Sequence, residues 1–240
     1  IVKTGYKASA VPGSVAGLLE AHANFGKLEL EEVLAPVIAQ ATNGITVSYD
    51  LHKAIESTER LYKDAESRKI YFKDGKAVKE NSIIKFPELA NTISLISKHG
   101  KAGFYEGETA EKIVKAMNNN NGLMSLEDFS SYKAHIREPI STDYRDYKVF
   151  TSGPPSGGGV TLLTSLNILS GFDLKKYKSN SIKTYHLFSE ALRRGHNNRS
   201  SEVGDPNFYD VPIEKLLSKK RTKELQNSIS INKASKASTI

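Results

Sequence analysis

The chain has 240 residues, 38% hydrophobic and 25% charged, enough to bury a core as one large domain or two small ones. It contains no cysteine, which excludes thiolate catalysis, disulfides and Cys-ligated metal, and no apolar run of the ~18 residues a membrane span needs. The formal net charge is +7, but residues 213–240 carry seven Lys/Arg against Glu214 and Glu224, in a Ser/Asn/Lys-rich run without an aromatic. A nucleic-acid face would interleave basic and aromatic residues, so no nucleic-acid partner is expected and residues 212–240 read as a solvated, mobile basic tail. The first ten residues lack an initiator Met and the apolar core of a signal peptide, as in a chain that has lost its true start.

In chain order, Pro12-Gly13 makes a turn into a helix over 14–24, with Val15, Leu18, Leu19 and His22 on one face and Gly26 as its stop. A second helix spans 29–43 with Val33, Leu34, Val37, Ile38 and Ala41 inward, bent or started by Pro36 and ended by Gly44. A third runs from Val47 to Leu61. Asp74-Gly75 then centres a hairpin in KIYFKDGKAVK, and Pro87 opens a helix to residue 98 with Leu89, Ile93 and Ile96 buried.

Phe104-Tyr105 precedes a helix carrying Ile113, Val114 and Met117, which a polar spacer over 118–121 follows. Ser125 to Asp128 has capping-box spacing. Residues 139–152 read as a strand pair turning near Asp143. After the PPSGGG turn come helices over 159–170 and 181–194, then a turn at Gly204-Asp205-Pro206. Seven helices and two β-ribbons supply too little strand for a central sheet, so the sheet such helices pack on must come from elsewhere. No repeat or linker divides the chain, and residues 1–240 are expected to form a single unit.

Few groups here suit chemistry. The histidines at 22, 52, 99, 135, 186 and 196 lack metal-ligand spacing, no HExxH occurs, and Ser156 does not sit in a GxSxG elbow. No metal or cofactor site is expected. Arg193, Arg194 and Arg199 offer carboxylate partners, with a structural ion pair or cap as their expected use. Asp205 before Pro206 is suited to cap a backbone amide or to pair with Arg199. Pro154 to Gly159 reads first as a strand-to-helix turn packed against backbone. Its free amides also make Ser156, Gly157 and Gly158 the one substrate-binding candidate in the chain.

Several motifs occur together in one order. They are Pro12-Gly13 with Gly17, Phe104-Tyr105-x-Gly107 with Ala110, and Leu126, Asp128 and Tyr132. Further on come Pro139-Ile140 with Tyr144-Arg145 and Tyr147, then Leu166-Asn167-Ile168-Leu169, and Gly204-Asp205-Pro206. In this the chain resembles the large subunit of γ-glutamyltranspeptidases, from Val11 to about Ile231. It departs from the family's pattern at Gly157, where a second Ser is usual, and at Asn197-Asn198-Arg199, where Ala-Asp-Arg is usual. Losing that acid removes a charge partner for Arg199 or a neighbour.

The resemblance implies an α+β fold: the helix-rich part of an N-terminal-nucleophile hydrolase αββα sandwich. It also implies a precursor that cuts itself before a Thr, with residues 212–240 leading to that site. The freed Thr, in a small subunit outside this chain, is nucleophile and base. No catalytic residue therefore falls here. Implied partners are the small subunit and γ-glutamyl substrates such as glutathione, in a periplasmic or secreted setting. The rivals are a poly-γ-glutamate capsule depolymerase or cephalosporin-type acylase of the same family, an inactive scaffold paralogue, and a free-standing helical interaction domain.

Overall fold

The computed structural model describes residues 4–236. Its contacts divide into two compact units, one ending at His135 and the other starting at Ile136.

In the first unit, α1 (Ser14–Phe25) ends at Gly26 as expected, but its buried residue is the small Ala16, while Leu18 is 72% exposed. α2 (Leu30–Asn43) starts with a Glu29/Glu32 capping box, well before Pro36, and continues past that proline. Ala41 is buried, whereas Val33 and Val37, expected inward, are exposed. The helix expected over Val47–Leu61 is two. Ser48 caps α3 (Tyr49–Ser57), and Thr58 leaves helical geometry before α4 (Glu59–Lys63). α5 (Ala65–Tyr71), which the sequence reading lacked, is capped by Asp64 accepting from the Ser67 amide.

Strand β1 (Ile45–Thr46) pairs with β4 (Ile83–Ile84), a ribbon that two-residue strands leave invisible to pattern reading. β2 (Phe72–Lys73) and β3 (Lys76–Ala77) form the expected hairpin, with Lys73 opposite Lys76. Asp74 and Gly75 both take positive φ, 51° and 75°, the primed turn whose twist matches a two-residue connection.

α6 (Pro87–His99) opens on Pro87 and buries Ala90 and Ile96, leaving Leu89 exposed. α7 (Ala102–Tyr105), α8 (Gly107–Asn119) and α9 (Leu126–Ser130) follow, the last with the expected Ser125/Asp128 capping box. Tyr105 organises this unit's core. Its hydroxyl donates to the Pro12 carbonyl (2.6 Å) and accepts from the Ala16 amide (3.1 Å), tying α7 to the start of α1. Burial raises its pKa above the usual phenol value. Around it lie Ala110, Val114, Met117, Met124 and Phe129, with Tyr132 stacked on its ring at 5.5 Å.

The second unit opens with a hairpin of β5 (Ile140–Tyr144) and β6 (Tyr147–Thr151), turning at Arg145-Asp146 rather than Asp143. α10 (Gly157–Ser170) is apolar nearly all round and is accordingly covered, by α11, β5 and two later helices. α11 (Ile182–Glu202) extends eight residues beyond its expected end at Arg194. The basic run is not a mobile tail. It forms α12 (Ile213–Leu216) and α13 (Lys219–Asn227), and buries Leu216 and Ile229. Residues 237–240 lie outside the described range. Leu169, Ile168, Leu187, Ala191 and Ile229 form this unit's core. Among the described residues the strands are confined to paired ribbons, so the chain is α+β and helix-rich.

Candidate functional site

The 154–159 turn joins β6 to α10. Pro154 is buried, Ser156 and Gly158 are exposed and Gly157 is half-buried. Ser156 is the N-cap residue, but its side chain makes no cap bond, so the first amides of α10 remain open. The turn is also packed against backbone: a side chain at Gly159 would overlap the Ser152 carbonyl. Arg199 on α11 lies across Gly157, where a Cβ would overlap its guanidinium. Among the described residues Arg199 forms no ion pair, so a cation stands beside the open amides of Gly157 and Gly158, while the Ser156 amide is taken by the Gly153 carbonyl at 3.2 Å. That corner suits an anion.

Nearby in the same unit is a depression of about 420 Å³, lined by Pro154, Arg137, Pro206, Tyr209 and Asp210 among others. Asp205 accepts from the Asn207 amide at 2.9 Å, the expected cap, and its ion-pair partner is Arg137 at 4.0 Å rather than Arg199. Arg137 also donates to Asn207 Oδ1.

The other two arginines are used internally. Glu190, 1% exposed, accepts from Arg194 and Arg193 on its own helix and from both the amide (3.1 Å) and hydroxyl (2.6 Å) of Ser235. Burial alone would raise its carboxyl pKa, but the bonds from Ser235 and Arg194 prevail and hold it at about 2. Arg194 donates onward to the Ser228 hydroxyl (2.7 Å) and carbonyl (2.8 Å) and to Ser235 Oγ (3.0 Å).

Asn198, also 1% exposed, forms a second polar knot. Its Nδ2 donates to Thr164 Oγ1 and the Leu216 carbonyl, both at 3.2 Å, and its Oδ1 accepts from Arg221 Nε at 3.1 Å. The neighbour of this position is thus Arg221, not Arg199. The structural ion pair expected of Arg193 and Arg194 is present, but the sequence reading named neither Glu190 as its acid nor the Asn198 knot. The i,i+4 spacing of Glu190 and Arg194 was a visible signal for one half of the first. Ser235, 45 residues away, offered none.

No helix among the described residues is long and apolar enough to cross a membrane. A sequence model of the family described as gamma-glutamyltranspeptidase matches residues 1–239. The glutathione hydrolase proenzyme of Escherichia coli K12 is 36% identical over 239 residues, which is 99% of this chain but only 41% of that protein. In structure, the Helicobacter pylori gamma-glutamyltranspeptidase superposes with a TM-score of 0.93 at 34% identity, covering 98% of this chain and 68% of that one. A cephalosporin acylase from Bacillus halodurans superposes at 0.85 with 29% identity, covering 92% and 42%. With the motif order, the helical framework and the family model in agreement along the whole length, this chain belongs to the gamma-glutamyltranspeptidase family.

Proposed function

We propose that the chain is most of the large subunit of a γ-glutamyl hydrolase or transferase, matured from a precursor by cleavage before a Thr. The carrying observation is the likeness to the Helicobacter pylori enzyme over 98% of this chain, together with described residues that supply helices and short ribbons but no central sheet. The freed Thr, contributed by the small subunit, attacks the γ-glutamyl carbonyl with its own α-amino group as base. Backbone amides hold the oxyanion, and water or an amino acid resolves the acyl-enzyme.

The two units described here both belong to that subunit. Their part is to support the site, with Ser156, Gly157 and Gly158 at the open N-terminus of α10 as the substrate-proximal corner. Glutathione and related γ-glutamyl amides are the substrates, and the setting is periplasmic or extracellular.

The test is to produce the complete precursor, follow its conversion to two chains by mass spectrometry, and assay γ-glutamyl-p-nitroanilide. Conversion with release of p-nitroaniline supports the reading; a precursor that stays whole and inert favours a scaffold paralogue. A second reading, acylase activity on another acyl group, draws on the likeness to the Bacillus halodurans enzyme. Its signature is a matured enzyme that cleaves a cephalosporin side-chain amide in preference to the γ-glutamyl anilide.

A further inference from the structure

The Glu190–Arg194 pair is buried and takes no part in the proposed chemistry. Removing two charges from water is costly, and a pair of this kind is usually replaceable by apolar side chains without loss of stability. Its partners distant in sequence indicate what it does. Besides each other and Arg193, the two side chains bond to Ser228 and Ser235.

Those contacts end a series that stitches the last part of the chain to α10 and α11. Asn198 holds the Leu216 carbonyl and Arg221. Gln226 donates to the carbonyls of Asn167 and Ile168 at the end of α10. His186 Nε2 bonds the Ser230 carbonyl at 2.7 Å. At Ser235 all three polar groups are engaged. The amide and hydroxyl bond Glu190, and the carbonyl accepts from Arg193 at 2.9 Å. A residue held through amide, hydroxyl and carbonyl has its backbone direction fixed, not merely its position.

We propose that Glu190, with Arg193 and Arg194, is a positioning latch for self-cleavage: by fixing Ser235 on α11 it sets the path on which the precursor chain leaves this unit towards the scissile bond. The inference rests on the maturation reading above. In that step the Thr hydroxyl oxygen attacks the carbonyl carbon of the preceding residue. The C–N bond breaks as the nitrogen takes up the hydroxyl proton, and water hydrolyses the resulting ester to a carboxyl terminus and a free Thr. Such a reaction needs the oxygen within ~3.5 Å of the carbon, and each residue released from an anchor widens the search.

The experiment compares three altered precursors with the unaltered one. Glu190→Leu with Arg194→Met removes both charges together and keeps the volume apolar, so the helices stay packed. Ser235→Ala leaves the ion pair intact and removes only the hydroxyl. Ser235→Thr restores it. The readouts are the cleavage rate, amide hydrogen exchange over 229–235, and the melting temperature.

The expected result is cleavage slowed by at least about tenfold in the double variant and about threefold in Ser235→Ala. Exchange over 229–235 rises in both, the melting temperature shifts by no more than about 3 °C, and Ser235→Thr recovers. Cleavage at the unaltered rate despite fast exchange overturns the latch alone, as does slowed cleavage with the segment still protected. An unaltered precursor that never cleaves removes the maturation reading and the latch with it. If the double variant does not fold, the two Ser235 variants decide by the same criteria.

Discussion

Asn198 shows how much one buried amide can hold. It satisfies a hydroxyl, a helix-end carbonyl and a guanidinium from three different elements. An aspartate there would keep Arg221 but turn a carboxylate oxygen towards the Leu216 carbonyl, which explains why an amide fits this arrangement. Asn198→Ala strands Arg221 Nε and the Leu216 carbonyl, and we expect a loss of about 2–4 kcal/mol in chemical denaturation. Glu190 gives a pH signature. Its folded pKa is depressed from 4.5 to about 2, so its contribution is complete above the unfolded value and is lost as pH falls from about 5 to 2. Acid titration of the folded chain should show that loss, and Glu190→Gln should flatten the curve across the same window. The departures at 157 and 198 were legible in the sequence, but their consequences were not. The residue facing Gly157 is a flexible, exposed arginine that can swing aside, so Gly157→Ser should alter stability by less than about 1 kcal/mol.

At the scale of elements, the readable signals were those carried by neighbours in sequence. Pro87 opening α6, the Asp74-Gly75 turn and the Ser125/Asp128 box each fix backbone geometry within four residues, and each stands as read. What failed depended on distant contacts. The helix expected over 181–194 continues to Glu202 as α11. Gly195 faces α10, where a Cβ would lie 2.5 Å from Ser165 Oγ and 2.7 Å from the Thr161 carbonyl. The glycine is a close-approach residue rather than a breaker. Gly195→Ala should push the two helices apart at a cost of about 1–3 kcal/mol, despite its gain in helix propensity. α13 was missed for the opposite reason. Its composition is polar, and side-chain hydrogen bonds from Arg221 to Asn198, from Gln226 to the Asn167 carbonyl and from Arg194 to the Ser228 carbonyl hold this region alongside Leu216 and Ile229. Hydropathy cannot register an anchor of that kind.

For the whole molecule, the exposed apolar surface is the decisive feature. Along α11, Ile182, Tyr185, Phe188 and Leu192 recur at three- and four-residue spacing, and all are exposed. Phe208 is 90% exposed, and Phe25 and Leu18 stand out from α1 in the other unit. An isolated exposed side chain signifies little, but a helical stripe repeated over three turns is what an element shows when its cover is elsewhere. The chain spans 41% of its Escherichia coli relative, so most of such a protein would remain to supply that cover. Residues 1–240 produced alone should therefore self-associate, bind a hydrophobic dye strongly, and release no p-nitroaniline from the γ-glutamyl anilide. Charged replacement of the stripe, Phe188→Glu with Leu192→Lys, should suppress association of the isolated chain, because it removes apolar area without touching a buried residue. In the complete precursor the same pair should impair assembly, since charges would then meet the surface that normally covers them. Sedimentation of both proteins separates these effects. An isolated wild-type chain that sediments as a monomer, with no dye response, would mean that the stripe has no missing cover.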